Sequence, residues 1–376
     1  MNRKNSWKPV IEKINNKLFG WKSKTLSFGG RLTLAISVLG SLPFFYLSIF
    51  AAPVGVIETM ERIRRNFIWE GSNNTSKIRW VAWEKILSPK EVGGLGLGSI
   101  KSLNLALLSK WRWKFLKERC ALWARIIKGI HKIDIQLPSR MSSRYICGVW
   151  KNIDNCKTAL EKLNIAGSEV IRRDQEGTGW ESDFEMDGQF SIAALRRRID
   201  RANHLIPDGV FQWNNWIPIK VSCFIWRARW DRIPTALALS RWGVQVQSVQ
   251  CSACVFGMES ADHLLLECPF VAKIWNQIWE WCRVKPQRCS RVKELLTNMT
   301  IFGECLKRKK TLHSIISGAL WGIWRGRNER VLNTRFASPE LVFEGIRSVV
   351  HVWIKHHYGK GNFIWGGMAK NSFLFM

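Results

Sequence analysis

Acidic residues are scarce in this sequence. The 376 residues contain 29 Asp and Glu against 58 Lys and Arg, a formal net charge of +29. Residues 1–130 hold 23 Lys or Arg but only seven Glu, and the first aspartate is Asp134. No Asp-Asp pair and no motif of a serine hydrolase, a zinc peptidase or a protein kinase occurs. The chain therefore shows no recognisable active site, and its charge favours an anionic partner, nucleic acid ahead of a membrane surface.

Clustered cysteines and a secretory leader are also missing. The ten cysteines are spread over a long chain, which excludes a small disulfide-rich secreted scaffold. The first residues, MNRKNSWKPVIEKINNK, are polar and basic and lack the apolar core of a signal peptide. We therefore expect a reducing compartment, the nucleus or the cytoplasm. Hydrophobic residues make up 46% of the chain, with 22 Trp and 19 Phe, so a folded core is expected instead of disorder.

Charge is absent from the stretch between Leu32 and Ile57. An uncharged run of this length is compatible with a membrane span. Pro43 and Pro53 interrupt it, and glycines and serines recur within it, which favours two shorter buried helices joined by a turn. We expect no membrane association, and a membrane-associated basic protein remains the less favoured alternative.

Pattern changes along the chain predict a mainly α fold with four segments. Residues 1–130 alternate short helical patterns with turns, and the glycines of GGLGLG at 93–98 lack the spacing of a phosphate-binding loop and predict a turn. Residues 131–205 are richer in acidic residues and weaker in periodicity, which indicates a linker. A small Trp-rich domain is predicted at 206–285, and a helical C-terminal region at 286–376.

One group of residues has the spacing of metal ligands. Cys251, Cys254, His263 and Cys268 form the pattern C-x2-C-x8-H-x4-C. Three thiolates and one imidazole are a typical tetrahedral ligand set for a structural Zn²⁺, and four protein ligands leave no open position for hydrolysis. Glu259 and Asp262 lie close by in sequence and are candidates to orient the imidazole.

Several longer motifs follow one another in a recognisable order. They are WKSKTLSFGGRLTLAISVLGSLPFFYLSIF with IRRNFIWEG, WVAWEKILSPKEVGGLGLGSIKSLNLALLSKWRWKF, GQFSIAALRRRID, FQWNNWIPIKVSCFIWRARWDRIPTALALSRWGV and LWGIWRGRNERV. Together with the Cys/His group they resemble the C-terminal part of a plant LINE-type (non-LTR) retrotransposon reverse transcriptase. The resemblance implies a thumb-like region at 1–130 and the zinc-binding domain of such reverse transcriptases at 206–285.

The resemblance also implies what this chain does. The family consists of RNA-directed DNA polymerases, whose palm aspartates hold two metal ions, and residues 1–130 contain no aspartate. We therefore expect a fragment without the catalytic palm, inactive alone, that binds RNA, DNA or an RNA–DNA hybrid and has no small-molecule substrate. A thumb and a zinc module contact phosphates through basic side chains. The candidates are Arg62, Arg64, Arg65, Arg112, Lys114, Arg227 and Arg229.

The sequence is compatible with two functions for such a fragment. One is a remnant of a polymerase. The other is a stand-alone, zinc-dependent RNA- or DNA-binding protein derived from a retroelement.

Overall fold

The computed structural model describes residues 4–19, 26–69, 78–131, 148–176, 179–203, 211–299 and 306–357. Helices predominate in these ranges, which confirms the predicted mainly α fold. The chain divides into two compact units. Unit 1 comprises residues 1–26, 31–77 and 82–211, and unit 2 comprises residues 27–30, 78–81 and 212–376. The boundaries of the four predicted segments stay predictions.

The first eleven helices precede residue 211. They are α1 (Lys8–Phe19), α2 (Phe28–Leu34), α3 (Phe44–Ile49), α4 (Val54–Trp69), α5 (Trp83–Leu87), α6 (Ile100–Lys117), α7 (Leu122–His131), α8 (Gly148–Asp154), α9 (Cys156–Glu161), α10 (Gly167–Val170) and α11 (Ile192–Asn203). Two short antiparallel hairpins lie before α11. They are formed by β1 (Arg172–Arg173) with β2 (Trp180–Glu181) and by β3 (Glu185–Met186) with β4 (Gln189–Phe190).

Six further α-helices lie in the described residues of unit 2. They are α12 (Ile219–Ala228), α13 (Ala236–Arg241), α14 (Pro269–Cys282), α15 (Val292–Asn298), α16 (Leu306–Asn333) and α17 (Pro339–His357). A π-helical turn, His263–Glu267, leads into α14.

The uncharged run from Leu32 to Ile57 is broken into short helical pieces. Pro43 caps the start of α3, and Pro53 accepts hydrogen bonds from the first turn of α4 through its carbonyl oxygen. Both prolines stand where a helix begins, because a proline tolerates the first turn and disrupts the interior. Within the described residues, no helix has the length and apolarity that a bilayer crossing requires. The prediction of interrupted short helices is confirmed.

Helix α6 is the centre of the unit 1 core. Its residues Phe115 and Leu116 pack with Trp150 of α8 and with Trp180 of β2. On another face, Trp113 packs with Phe190 of β4, their ring centroids 5.7 Å apart. The described parts of the predicted linker are therefore folded onto α6. The apolar residues of this segment follow no single helical period, because short helices and hairpins alternate along it.

The GGLGLG segment forms a turn, as predicted. Gly93, Gly96 and Gly98 have φ values of 89°, 72° and 67°. This left-handed region disfavours side chains with a Cβ, so the glycines are required by the backbone path. The turn leads directly to Ser99, whose hydroxyl caps α6 by accepting from the Ser102 amide at 3.3 Å.

A buried ion pair on α4 holds this turn in place. Arg64 is 2% exposed and donates through Nη1 to both carboxylate oxygens of Glu61 at 3.1 Å. Its Nη2 donates to the carbonyl oxygens of Leu97 and Gly98 at 3.2 and 3.1 Å. The Glu61 carboxylate accepts from the Ile100 amide at 2.8 Å, at the first residue of α6. The pair thus satisfies backbone groups of the turn and of the helix start that burial separates from water.

Tryptophans and other aromatic residues fill the core of unit 2. Trp226 is fully buried, and Trp275 and Trp279 of α14 stack with ring centroids 5.3 Å apart. Phe224 of α12 stacks on Trp324 of α16 at 5.5 Å. These contacts agree with the predicted role of most tryptophans in packing.

Glycines permit the close packing of α16 against α17. Gly318 and Gly322 are four residues apart, and they face Val350 and Ile346, which are also four apart. A Cβ at Gly318 would collide with Cγ2 of Val350, which is completely buried. The two helices therefore approach each other along a strip where α16 has no side chains.

We expect Gly318→Ala to destabilise the protein. The added methyl group must displace Val350, whose β-branched side chain has little rotamer freedom, and overpacking costs about 1–3 kcal/mol. The better helix propensity of alanine returns only part of this, about 1 kcal/mol. Urea unfolding should show a lower free energy of unfolding. The matched control is Gly345→Ala on α17, where no atom lies within 4 Å of the new Cβ, and this change should stabilise instead. Equal effects of the two substitutions would contradict the packing argument.

Candidate metal centre

The first two predicted ligands lie in a tight hairpin. Gln250 and Met258 form an antiparallel bridge, and the Cys251 amide donates to the Gly257 carbonyl oxygen at 2.7 Å. Val255 has a φ of 64°, an unfavourable conformation for a β-branched residue. Its amide donates to the Cys251 carbonyl oxygen at 2.9 Å, which closes the turn. Cys251 and Cys254 are brought to the same side of this turn.

The other two predicted ligands flank the π-helical turn. His263 is its first residue, and Cys268 is the N-cap of α14, with Pro269 at the first helical position. The Cys268 amide donates to the His263 carbonyl oxygen at 2.8 Å. The Trp275 indole N–H donates to the Leu265 carbonyl oxygen at 2.8 Å and so anchors the turn to α14.

The four side chains converge. One ligand atom from each of Cys251, Cys254, His263 and Cys268 lies within 4.8 Å of every other. The Cys251 and Cys268 sulfurs are 3.8 Å apart, and the Cys254 sulfur lies 3.3 Å from His263 Nε2. A tetrahedral ion with Zn–S bonds of about 2.3 Å and Zn–N bonds of about 2.0 Å holds two sulfurs about 3.8 Å apart and a sulfur and a nitrogen about 3.5 Å apart. The cluster has the dimensions to hold a metal ion and is consistent with zinc.

The two buried thiols lie within hydrogen-bond distance of each other, with their sulfurs 3.8 Å apart. The hydrogen bond with the Cys268 thiol lowers the pKa of Cys251 to about 4, and backbone amides of the hairpin add to this effect. The same interaction, with burial, raises the pKa of Cys268 above its ordinary value. A metal ion would displace the thiol protons on binding.

Gly257 provides the space for the imidazole. A Cβ at this position would lie 2.7 Å from Nδ1 and 2.8 Å from Nε2 of His263. The backbone of the hairpin therefore lies directly against the ring, and only glycine leaves it in place. Gly257 is not recognisable from the sequence, since its φ lies outside the left-handed region and its role depends on a contact with His263.

The two nearby carboxylates do not orient His263, which corrects the expectation from their sequence positions. Glu259 is 1% exposed and forms a two-point ion pair with Arg327 of α16, with Nη2–Oε1 at 2.6 Å and Nε–Oε2 at 3.1 Å. Its Oε1 also accepts from the Ala236 amide at the start of α13, at 2.8 Å. Asp262 accepts from the Val292 amide of α15 at 2.8 Å. Both carboxylates join the metal-site segment to surrounding helices.

The tip of the hairpin is apolar and exposed. Phe256 is 96% exposed, and Val255 and Met258 are each 63% exposed. The strained φ of Val255 sets the backbone direction immediately before Phe256. Exposed aromatic side chains of this kind can stack on unpaired bases.

The predicted nucleic-acid-binding residues of α4 differ in accessibility. Arg62 is exposed. Arg64 is buried, and its two Nη atoms donate to Glu61 and to two carbonyl oxygens, so it does not present a guanidinium to solvent. Arg65 lies over the Trp83 ring, 5.3 Å from its centroid.

The remaining predicted residues lie on α6 and near the end of α12. Lys114 is partly exposed and pairs with Glu118 at 3.4 Å. Arg112 is half-buried and lines a cavity of unit 1. In unit 2, Arg227 lies over the Phe28 ring at 5.1 Å, and Arg229 is 8% exposed and lies over the Trp230 ring at 4.9 Å. Five of the seven residues belong to unit 1 and two to unit 2, and their role in nucleic-acid binding stays a prediction.

Part of the chain matches a known protein family. Residues 190–275 match the family described as zinc-binding in reverse transcriptase. A putative ribonuclease H protein of Arabidopsis thaliana is 26% identical over 363 residues, covering 76% of this chain and 57% of that protein. An uncharacterized mitochondrial protein of the same plant is 30% identical over 90 residues, covering 24% of this chain and 58% of that protein. The chain thus spans little more than half the length of these relatives.

The matched family segment contains the whole Cys/His cluster. Residues 190–275 include all four candidate ligands, Gly257 and the exposed tip. The match and the relatives together support a protein derived from a retrotransposon, with a zinc-binding segment of the reverse transcriptase type.

Proposed function

We propose that this chain is the C-terminal part of a LINE-type retrotransposon reverse transcriptase of plant type that acts in nucleic-acid binding. The observation that carries the proposal is the convergence of Cys251, Cys254, His263 and Cys268 inside the segment that matches the zinc-binding family. The relatives' names, one of which includes ribonuclease H, are compatible with a retroelement polyprotein. The nucleus or the cytoplasm is the proposed location.

We assign the four residues to one structural Zn²⁺. Because protein atoms fill all four tetrahedral positions, no position is left for a reactive water. The ion would supply folding free energy to the hairpin, the π-helical turn and the helix start that carry its ligands. Gly257 would keep His263 in position, and the thiol protons of Cys251 and Cys268 would leave when the metal binds.

Catalysis of polymerisation is not assigned to this chain. Metal-dependent nucleotide transfer needs carboxylates that hold two ions, and the first 130 residues contain no aspartate. We therefore expect the isolated chain to give no primer extension when template, primer and nucleotides are supplied.

The partner we propose is RNA, DNA or an RNA–DNA hybrid with an unpaired segment. The formal charge of +29 supplies salt-dependent attraction to phosphates. Arg62 and Lys114 lie at least partly at the surface of unit 1, and Phe256 projects from the metal hairpin of unit 2. Stacking of one base on an aromatic side chain contributes about 1–3 kcal/mol.

Phe256→Ala tests the proposed interaction. In fluorescence anisotropy titrations with a hybrid that carries a single-stranded RNA overhang, we expect the substitution to weaken binding by about tenfold. Binding by the unchanged chain should fall steeply with salt and decrease after zinc chelation. Phe336→Ala removes an aromatic ring that is 74% exposed elsewhere in unit 2 and should leave the affinity unchanged. Binding that is indifferent to salt and to chelation would refute the proposed function.

A further inference from the structure

Unit 1 contains a cavity with a strongly basic lining. Its volume is about 550 Å³, within the range of small-ligand pockets. The lining combines side chains of α6 and α9 with those of the β1–β2 hairpin. The charged and polar residues that matter are Arg112, Lys157, Arg172, Arg173, Glu161 and Trp180. Four cations thus face one carboxylate.

Two of these cations are neutralised within the fold. Lys157 lies 3.9 Å from a carboxylate oxygen of Glu161. Arg172 pairs with Asp183 and, at 3.6 Å, with Glu181. Arg173 has its guanidinium 4.5 Å from the Trp180 ring centroid. The positive charge of these residues is partly balanced before any ligand arrives.

Arg112 is different from its neighbours. Its half-buried guanidinium forms no hydrogen bond and no ion pair with any residue that the structure describes. Burial lowers the pKa of Arg112, while the carboxylates of Asp154 and Glu161 oppose this shift from a distance beyond direct pairing. Taking a guanidinium out of water without a partner costs free energy. The position is therefore suited to receive an anion.

Another lining residue of the cavity, Trp180, also has a donor without a partner. Trp180 is 6% exposed, and its indole N–H forms no hydrogen bond with any described residue. A buried donor of this kind destabilises the protein unless an acceptor is supplied. Arg112 and Trp180 both donate and neither accepts, so a ligand rich in acceptor oxygens and negative charge matches the cavity.

We propose that this cavity binds a phosphate group, with Arg112 as its main ion-pairing residue. The volume exceeds that of one phosphate and leaves room for an attached sugar. The phosphate belongs either to the end or backbone of a nucleic acid or to a free phosphate or mononucleotide. The inference does not depend on the zinc ion, because every lining residue belongs to unit 1.

Isothermal titration calorimetry with three probes tests the proposal on the full chain. The probes are inorganic phosphate, a short 5′-phosphorylated oligoribonucleotide and the same oligoribonucleotide with a 5′-hydroxyl group. Arg112→Gln should weaken phosphate-dependent binding by roughly 10- to 100-fold, the effect of losing a charge-assisted hydrogen bond. Arg112→Lys should restore part of it. Tighter binding of the 5′-phosphorylated form would identify a terminal phosphate as the ligand. Equal binding of both oligoribonucleotides would identify a backbone phosphate. Binding of inorganic phosphate without binding of either oligoribonucleotide would identify a free ligand.

Control variants separate this site from general charge effects and from the zinc module. Arg125→Gln on α7 removes the same charge from an exposed position and should change binding by less than twofold. Trp180→Phe keeps the net charge but removes the unpartnered N–H, and it should weaken binding. This second variant tests the site even if Arg112→Gln does not fold. Phosphate binding should persist after zinc chelation, even if chelation abolishes binding of the hybrid with the single-stranded RNA overhang. Equal affinities of the Arg112→Gln, Trp180→Phe and Arg125→Gln variants and the unchanged chain would overturn the proposal.

Discussion

A Cys268→Ser variant should lose stoichiometric zinc and most of the stability of unit 2. Cys268 is completely buried and serves two functions, as a candidate ligand and as the N-cap of α14. In zinc-finger peptides a structural zinc contributes about 10–16 kcal/mol. The stability of a whole domain is only about 5–15 kcal/mol, so the loss of one thiolate is sufficient to unfold the segment around the cluster. Elemental analysis should give one zinc per unchanged chain and substantially less for the variant.

The control for this experiment is another buried cysteine of the same unit. Cys282 is completely buried at the end of α14 and lies outside the cluster. Cys282→Ser should retain one zinc per chain despite some loss of packing. Limited proteolysis should cut the Cys268→Ser chain within residues 249–268 while the control resists. A Cys268→Ser chain with full zinc content would disprove the assigned ligand set.

The second large effect is expected at the buried ion pair of unit 1. Glu61→Ala removes the acceptor of Arg64, of the Ile100 amide and of the Trp83 indole N–H, which donates to Glu61 Oε2 at 3.2 Å. A buried arginine without its carboxylate costs about 3–5 kcal/mol. Urea unfolding followed by circular dichroism should show this loss in the free energy of unfolding.

Two further variants make the explanation specific. Glu58→Ala on the exposed face of α4 should change the stability by less than about 0.5 kcal/mol. The double variant Glu61→Leu, Arg64→Met should be more stable than Glu61→Ala alone, because it leaves no unpaired buried charge. Arg64→Met alone provides the reference for this comparison. If adding Arg64→Met to a chain that already lacks Glu61 lowered the free energy of unfolding as much as Arg64→Met does alone, the two side chains would not be coupled.

The sequence was sufficient to predict the mainly α fold and the cluster. Cys251, Cys254, His263 and Cys268 are close in sequence, and their spacing reflects local chain geometry that a turn and a helix start can satisfy. The breaks at Pro43 and Pro53 were likewise predictable, because a proline acts on its own helix. Such features depend on neighbouring residues alone.

Features that depend on distant contacts could not be predicted in this way. Glu259 is four residues before His263 in sequence, yet its partner is Arg327, 68 residues further on. Arg64 has the charge of a phosphate-binding residue, but α4 directs it toward the carbonyl oxygens of the glycine turn. Composition and spacing give no information about which side of a helix meets which part of the chain.

Because of the ion pair between Glu259 and Arg327, the zinc-binding segment depends on residues outside the family match. The matched family segment ends at residue 275, and Arg327 lies well beyond it. A shortened chain that stops after the family segment would keep every candidate ligand but would lose α16 and with it Arg327, the counter-charge of Glu259. A chain that loses α16 should therefore lose a cooperative fold even though the Cys/His pattern is intact.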